Sequence, residues 1–133
     1  MNNYIISCST TGNIIGMFTA FSEREAADWL ARADGFDDLA HEAAVDRTTV
    51  DALLSEIVVE MIDLDATVAA LATQMVATDL ECGDTSAWDV ISIRNAAYYA
   101  GIPALIAAAV ATHCYGLLLR EYRATMAASR CAA

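Results

Sequence analysis

The chain contains no lysine and only one proline. Its seven positively charged side chains are therefore all arginine, which forms bidentate contacts with carboxylate or phosphate groups better than lysine does. Aromatic residues make up only 8% of the chain, whereas 57% of it is apolar. This balance argues against a disordered chain and favours packed helices over a β-sandwich. The length of 133 residues predicts a single domain, 1–133, that can bury a core without metals or disulfides.

The motifs that usually carry catalysis and metal binding are also missing. The four cysteines form no CxxC pair, which argues against a zinc site or a redox dithiol. The sequence has no glycine-rich phosphate loop, nucleophile elbow, metalloprotease motif or nucleic-acid-binding motif. Its first residues lack the basic region of a signal peptide. We therefore expect reduced cysteines, no cofactor, no metal, and a cytoplasmic protein that is not an enzyme.

The two histidines leave an enzyme as the third of three functional hypotheses. His113 is followed directly by Cys114, but adjacent residues of a helix point about 100° apart, so these two are not expected to form a catalytic dyad. His41 stands beside Glu42 in the same way. The sequence therefore disfavours an acid–base role for either histidine.

Charge is distributed very unevenly along the chain, whose formal net charge is −11. Residues 1–22 carry no charged side chain, residues 23–89 carry seventeen acids and three arginines, and residues 90–133 carry four arginines and one acid. Such a field repels nucleic acid and anionic lipid, and it attracts basic surfaces. We therefore predict a basic protein partner and no direct contact with nucleic acid or a membrane.

One uncharged stretch, residues 95–119, is long enough to raise the question of a membrane span. Gly101 and Pro103 interrupt it and leave about 17 residues, the lower limit for crossing a bilayer. We predict a buried central helix here rather than a span.

The N-terminal third predicts a β-hairpin, 1–21, followed by the first of the acidic helices, 22–82. Two β-branched or aromatic runs flank Gly12-Asn13, whose positive φ angles would suit a tight turn. Ser22 and Glu25 form a capping box, and Gly35 ends the helix that follows it. Trp29, Leu30 and Ala33 are predicted to share one buried stripe with Ala26. A short helix is expected from about Asp38 to Val45.

The clearest periodicity predicts one long central helix from about Thr49 to Leu80. Apolar residues recur there at alternating spacings of four and three: Val50, Leu54, Ile57, Met61, Leu64, Val68, Leu71 and Met75. An unbroken helix would extend on the order of 48 Å, beyond the roughly 36 Å diameter of a compact domain of this length. Either the helix breaks near Asp63–Asp65, or its end packs on another subunit. The second alternative predicts a homo-oligomer, with a dimer favoured.

The remaining elements form a predicted C-terminal helical hairpin, 84–127. Its first helix would begin at a capping box from Ser86 to Asp89 and stop at Gly101, and its second would run from Pro103 to about Met126. The predicted fold class is thus α+β, predominantly α-helical, with an N-terminal β-hairpin followed by about five helices including one long central helix.

The acidic residues Glu56, Glu60 and Asp63 are candidates for binding a partner. On a helix their spacing of i, i+4 and i+7 would place them on one outer face. Such a face either aids solubility or binds a basic partner, and the lack of interspersed cations slightly favours binding. Carboxylates along a helix can imitate a phosphate backbone, as in small phage or plasmid inhibitors of nucleic-acid machinery, an analogy at the level of class only.

A second candidate site combines Arg94, Tyr98, Arg120 and Arg123. If the two C-terminal helices are antiparallel neighbours, these residues could clamp a phosphate group. The other interpretation, which the sequence favours, is that the arginines pair with acidic helices of the same or a neighbouring subunit. The leading hypothesis is therefore a non-enzymatic acidic protein-interaction module, an inhibitor or adaptor. The alternative is a binding protein for an anionic small molecule or nucleotide.

Overall fold

The computed structural model of the chain describes residues 1–82 and 88–131. Its strands and helices follow one another along the chain as β1 (Asn2–Cys8), β2 (Ile14–Ala20), α1 (Glu23–Ala33), α2 (Leu39–Val45), α3 (Val50–Ser55), β3 (Ile57–Ile62), α4 (Leu64–Cys82), α5 (Val90–Tyr99), α6 (Ala104–His113) and α7 (Tyr115–Cys131). The predicted α+β class with mostly helix is confirmed. The chain forms two compact units, unit 1 (Met1–Asp63) and unit 2 (Leu64–Ala133).

Unit 1 is built on a three-stranded antiparallel sheet in the order β2-β1-β3. The predicted hairpin is present, and Gly12 adopts a φ of +73° in its turn, a conformation that glycine accepts without steric cost. The turn is closed by the amide of Cys8, which donates to the carbonyl of Asn13 over 2.8 Å. The prediction of a positive φ at Asn13 was wrong, since the hairpin loop is longer than a two-residue turn.

Helix α1 starts and ends where the sequence indicates. The hydroxyl of Ser22 accepts a hydrogen bond from the amide of Glu25 over 3.1 Å. The Glu25 carboxylate in turn accepts from the amide of Phe21 over 3.3 Å, one residue before the amide used in a standard capping box. Gly35, with a φ of +98°, follows the helix end.

The buried face of α1 is narrower and smaller than predicted. Ala26, Ala27 and Ala31 are fully buried, whereas Trp29 is 43% exposed and Ala33 is exposed. The predicted core stripe was therefore wrong for Trp29 and Ala33, because alanines let the helix lie close against the sheet. Trp29 instead stacks under the guanidinium of Arg32, 4.6 Å from the ring centre.

The predicted long central helix does not exist, because α3 ends at Ser55 and residues Ile57–Ile62 form strand β3. The segment Ile57-Val58-Val59 is β-branched throughout, which favours an extended backbone, and it pairs with the free edge of β1. The alternative of a break near Asp63–Asp65 fits better, since α4 begins at Leu64. The prediction of a homo-oligomer was based on a helix too long for one compact domain, and the structure contains no such helix between Thr49 and Leu80.

Unit 2 packs α4 against α5 and α7, and α6 against α5 and α7. Along α4, the predicted apolar seam holds, with Val68, Leu71 and Met75 all buried. They meet Ile93 of α5 and other buried residues of α6 and α7 in one core cluster.

The start of α5 differs from its prediction. Asp89 is the N-cap: its carboxylate accepts from the amide of Ser92 over 2.7 Å, and the Ser92 hydroxyl accepts from the amide of Asp89 over 2.9 Å. The hydrogen bond from the Ser92 amide to the Asp89 carboxylate is the largest cause that lowers the pKa of Asp89. The predicted cap at Ser86 lies outside the described residues.

The predicted last helix is in fact two helices, α6 and α7, which meet at Cys114 with a bend of 97°. α7 continues to Cys131, beyond the predicted end at Met126. Within the described ranges, no single helix has both the length and the hydropathy to cross a bilayer; α6 and α7 would meet those criteria only when taken together across their bend.

Candidate functional site

The three acidic residues predicted to bind a partner lie on different kinds of structure. Glu56 is the C-cap of α3, Glu60 belongs to β3, and Asp63 follows β3. All three are exposed. Their predicted common helical face was wrong because residues 57–62 are extended. Successive side chains of a strand point to opposite faces, so Glu60 lies on the face opposite Ile57 and Val59, which pack toward α1.

Glu56 instead belongs to a cavity of about 170 Å³ in unit 1, which we call the acidic cavity. Asp34, Glu42 and Glu56 bring three carboxylates to it, each from a different helix or helix end. Its remaining lining is apolar: Ile15, Ala27, Leu30, Ala31, Leu39, Leu53 and Ile57.

The electrostatics of the acidic cavity are those of crowded like charges. Burial raises the pKa of Glu42, and the carboxylates of Asp34, Asp46 and Glu56 raise it further. No arginine opposes them in the part of the chain that the structure describes: the arginine–carboxylate ion pair found there joins Arg24 to Asp28 over 3.6 Å.

The chemistry of the acidic cavity fits an organic cation better than a metal ion. Across residues 1–82 and 88–131, no group of three or more His, Cys, Asp or Glu side chains is arranged to hold a metal. The apolar lining can receive the aliphatic stem of an arginine or lysine, while the carboxylates receive its charged head. The sequence did not identify Asp34 and Glu42 as site residues. They are far from Glu56 along the chain, and no sequence pattern indicates that α1, α2 and α3 bring the three carboxylates together.

The predicted arginine–tyrosine cluster is only half assembled. Arg94 and Tyr98 lie one turn apart on α5 and line a second cavity of about 280 Å³, together with Ile91, Asn95 and Ala104. Arg120 and Arg123 lie on α7 and do not line it. Within one chain, no described carboxylate forms an ion pair with Arg94, Arg120 or Arg123; pairing with a neighbouring subunit stays a prediction.

A buried polar network in unit 2 was not predicted. The carboxylate of Asp79, only 8% exposed, accepts hydrogen bonds from the indole of Trp88 and the hydroxyl of Tyr122. The hydroxyl of Tyr115 donates to the carbonyl of Trp88 over 2.8 Å. Burial and the bond to Asp79 raise the pKa of Tyr122. This network ties α4 and α7 to the segment before α5, which is a structural role.

The histidines give no support to an acid–base centre. The ring of His41 accepts a hydrogen bond from the amide of Asp37 over 2.9 Å and packs edge-on against Phe36. His113 is the exposed last residue of α6. Burial raises the pKa of the neighbouring Cys114 thiol, which disfavours the nucleophilic thiolate.

Comparisons of the chain with protein-family models, with curated proteins and with solved structures find no match. The geometry and charge of the two cavities are therefore the features from which a function can be inferred.

Proposed function

We propose that this chain is a non-enzymatic acidic protein-interaction module, an inhibitor or adaptor that binds a basic surface of a partner protein. The observation that carries the proposal is the acidic cavity, in which Asp34, Glu42 and Glu56 surround an apolar floor without an opposing cation among the described residues. A basic side chain of the partner is the natural occupant.

Binding would relieve a repulsion that the free protein carries. Burial and, after it, the carboxylates of Asp34, Asp46 and Glu56 raise the pKa of Glu42, so a guanidinium or ammonium group placed among them would interact favourably with several carboxylates at once. Charge-assisted hydrogen bonds of this kind are worth about 1.5–3 kcal/mol each. Unit 1 also has a formal charge of −9, from twelve acids and three arginines, which speeds encounter with a basic surface.

A partner that normally binds nucleic acid falls within this proposal, because its surface is basic. The way in which such a partner would be recognised differs from the one expected from the sequence. Glu56 and Glu60 do not follow one helical face, so imitation of a regular phosphate backbone is less well supported than capture of individual basic side chains.

The proposal can be tested before a natural partner is known, with an unstructured arginine-rich peptide as the probe. The test variant Asp34→Asn/Glu42→Gln/Glu56→Gln neutralises the acidic cavity. The control variant Glu23→Gln/Asp51→Asn/Asp65→Asn removes the same charge from exposed positions elsewhere. Titration calorimetry should show a loss of about tenfold or more in affinity, or roughly 1.4 kcal/mol, for the test variant.

The control variant should bind the peptide nearly as well as the wild-type protein does. Equal weakening of both variants would show that only the general negative field attracts the peptide, and the acidic cavity would then not be the site. Amide chemical-shift changes around Leu39 and Leu53 on titration would place the peptide at the cavity floor.

The alternative, a binding protein for an anionic small molecule or nucleotide, has less support than the sequence suggested. Of its three arginines, only Arg94 lines a cavity, and Arg120 and Arg123 lie on a different helix. A single guanidinium beside Tyr98 binds a phosphate group more weakly than three guanidinium groups would.

A further inference from the structure

One face of α5 exposes two large apolar or aromatic side chains beside an arginine, which is unusual for a helix of a small folded unit. Ile91 is 70% exposed and Tyr98 is 78% exposed, and their spacing with Arg94 places all three along the same side of the helix. We call Ile91, Arg94, Asn95 and Tyr98 the α5 surface; together with Ala104 they line the cavity of about 280 Å³.

The composition of the α5 surface is that of a protein interface. Tyrosine and arginine are enriched where alanine substitution costs most binding energy, whereas a solvated helix face normally carries short polar or charged residues. Arg94 stands at its centre and forms no ion pair with any described residue. The partner of this surface should therefore supply carboxylates surrounded by apolar groups.

We propose that the α5 surface docks onto the acidic cavity of a second copy of this chain, with Arg94 entering between Asp34, Glu42 and Glu56. This inference rests on the proposed function, because it names a basic residue for the same cavity. Charge complementarity between the two linings carries it: the acidic cavity has three carboxylates and no arginine, and the α5 surface has one guanidinium and no carboxylate. Ile91 and Tyr98 would meet the apolar lining around the carboxylates.

The two docking surfaces are different, so the contact is heterologous. Each copy offers one α5 surface and one acidic cavity, and copies therefore add head to tail unless the geometry closes a ring. Association should increase with protein concentration and weaken with salt, because part of the attraction is between solvated charges.

Two variants that each lose one surface provide the test. Arg94→Glu reverses the charge of the α5 surface and leaves the acidic cavity intact, and Asp34→Asn/Glu42→Gln/Glu56→Gln does the opposite. Circular dichroism and melting temperature confirm that each variant folds. In sedimentation velocity, the wild-type chain should self-associate and each variant alone should be a monomer. An equimolar mixture of the two variants should form a heterodimer and nothing larger, since only one productive pair of surfaces remains.

Arg130→Glu is the matched control, because Arg130 is exposed on α7 and does not line the cavity at the α5 surface; this variant should self-associate like the wild type. A wild-type chain that stays a 14.2 kDa monomer at its highest soluble concentration would overturn the inference, as would an Arg94→Glu variant that still self-associates. A nucleotide bound at Arg94 of a monomeric chain would assign the α5 surface to a small anion instead.

Failure of this inference is distinguishable from failure of the proposed function. If the arginine-rich peptide binds the acidic cavity but Arg94→Glu does not change self-association, a basic partner remains the proposal and the second copy does not. If self-association needs both surfaces but the peptide does not bind, the cavity recognises this chain alone.

Discussion

Trp88 and Asp79 are joined by a hydrogen bond of 3.0 Å from the indole nitrogen to a carboxylate oxygen, and both side chains are more than nine-tenths buried. The same oxygen accepts the hydroxyl hydrogen bond of Tyr122. A buried carboxylate is costly unless its hydrogen bonds are satisfied, so these two donors are what allow an acid inside unit 2.

Removing one of the two donors should therefore destabilise the protein. We expect Tyr122→Phe to lower the free energy of unfolding by about 1–3 kcal/mol, the cost of leaving a buried polar group short of a partner. Urea denaturation followed by tryptophan fluorescence measures this. Tyr98→Phe is the control, since its hydroxyl belongs to a residue that is 78% exposed. Equal stabilities for the two variants would mean that Asp79 does not depend on Tyr122.

The raised pKa of Glu42 predicts how stability varies with pH. A carboxyl group whose folded pKa exceeds its ordinary value of 4.5 favours the folded state while it is protonated, and this contribution is lost as pH rises through the folded pKa. We expect Glu42→Gln to raise the melting temperature at pH 7 but not at pH 4. The gain should be roughly a few tenths of a kcal/mol, the size of repulsion between solvated like charges. A gain that is the same at both pH values would contradict this origin.

The core of unit 2 predicts that the same substitution has very different effects on stability at two positions of α4. Leu71 is fully buried and Leu80 is 58% exposed. Leu71→Asp buries an unpaired charge, and we expect it to cost several kcal/mol and to abolish cooperative unfolding, whereas Leu80→Asp should stay within about 0.5 kcal/mol of wild type. Thermal melts followed by circular dichroism would show both. A Leu71→Asp variant that melts like the wild type would mean that the α4 seam is not the core.

The thiols of Cys8 and Cys114 should differ in reactivity. The hydroxyl and amide of Thr11 and the amide of Thr10 lower the pKa of Cys8, whereas burial raises the pKa of Cys114. Because the thiolate is the nucleophile, Cys8 should be alkylated faster at neutral pH, and its rate should reach its plateau at a lower pH. Mass spectrometry of tryptic peptides after timed iodoacetamide treatment measures both rates. Thr11→Val should slow the reaction of Cys8 and leave that of Cys114 unchanged.

The acidic residues selected from the sequence should no longer behave as a group. Glu56 lines the acidic cavity, and Glu60 does not. We therefore expect Glu56→Arg to weaken binding of an arginine-rich peptide by about tenfold or more, and Glu60→Arg to weaken it by only about two- to threefold through the general field. Fluorescence anisotropy of a labelled peptide measures both. If Glu60→Arg has the larger effect, the binding surface is the sheet face that carries Glu60.

Sequence patterns succeeded where short-range physics decides the structure. The positive φ of Gly12, the cap at Ser22 and the helix end at Gly35 depend on residues within a few positions of one another, and all three are found as predicted. The mainly helical α+β class likewise follows from composition and periodicity.

Sequence patterns failed where a distant partner decided the structure. Residues 57–62 fit a helical spacing and an extended one equally well, and the open edge of β1 selected the strand. Because these residues form a strand, Glu56 and Glu60 do not lie on one face of a helix. The bend at Cys114 likewise separated the helix of Arg120 from the helix of Arg94.

The sequence by itself determined that this protein is acidic, mainly helical and without lysine, because these are properties of composition and local periodicity. Only the tertiary structure decided which carboxylates meet. Asp34, Glu42 and Glu56 are separated along the chain and converge because the ends of α1 and α3 and the first turn of α2 lie around one apolar cluster. Packing of that cluster partly buries Glu42 and brings the other charges close to it, and both effects raise its pKa. Neither effect can be read from spacing along the chain.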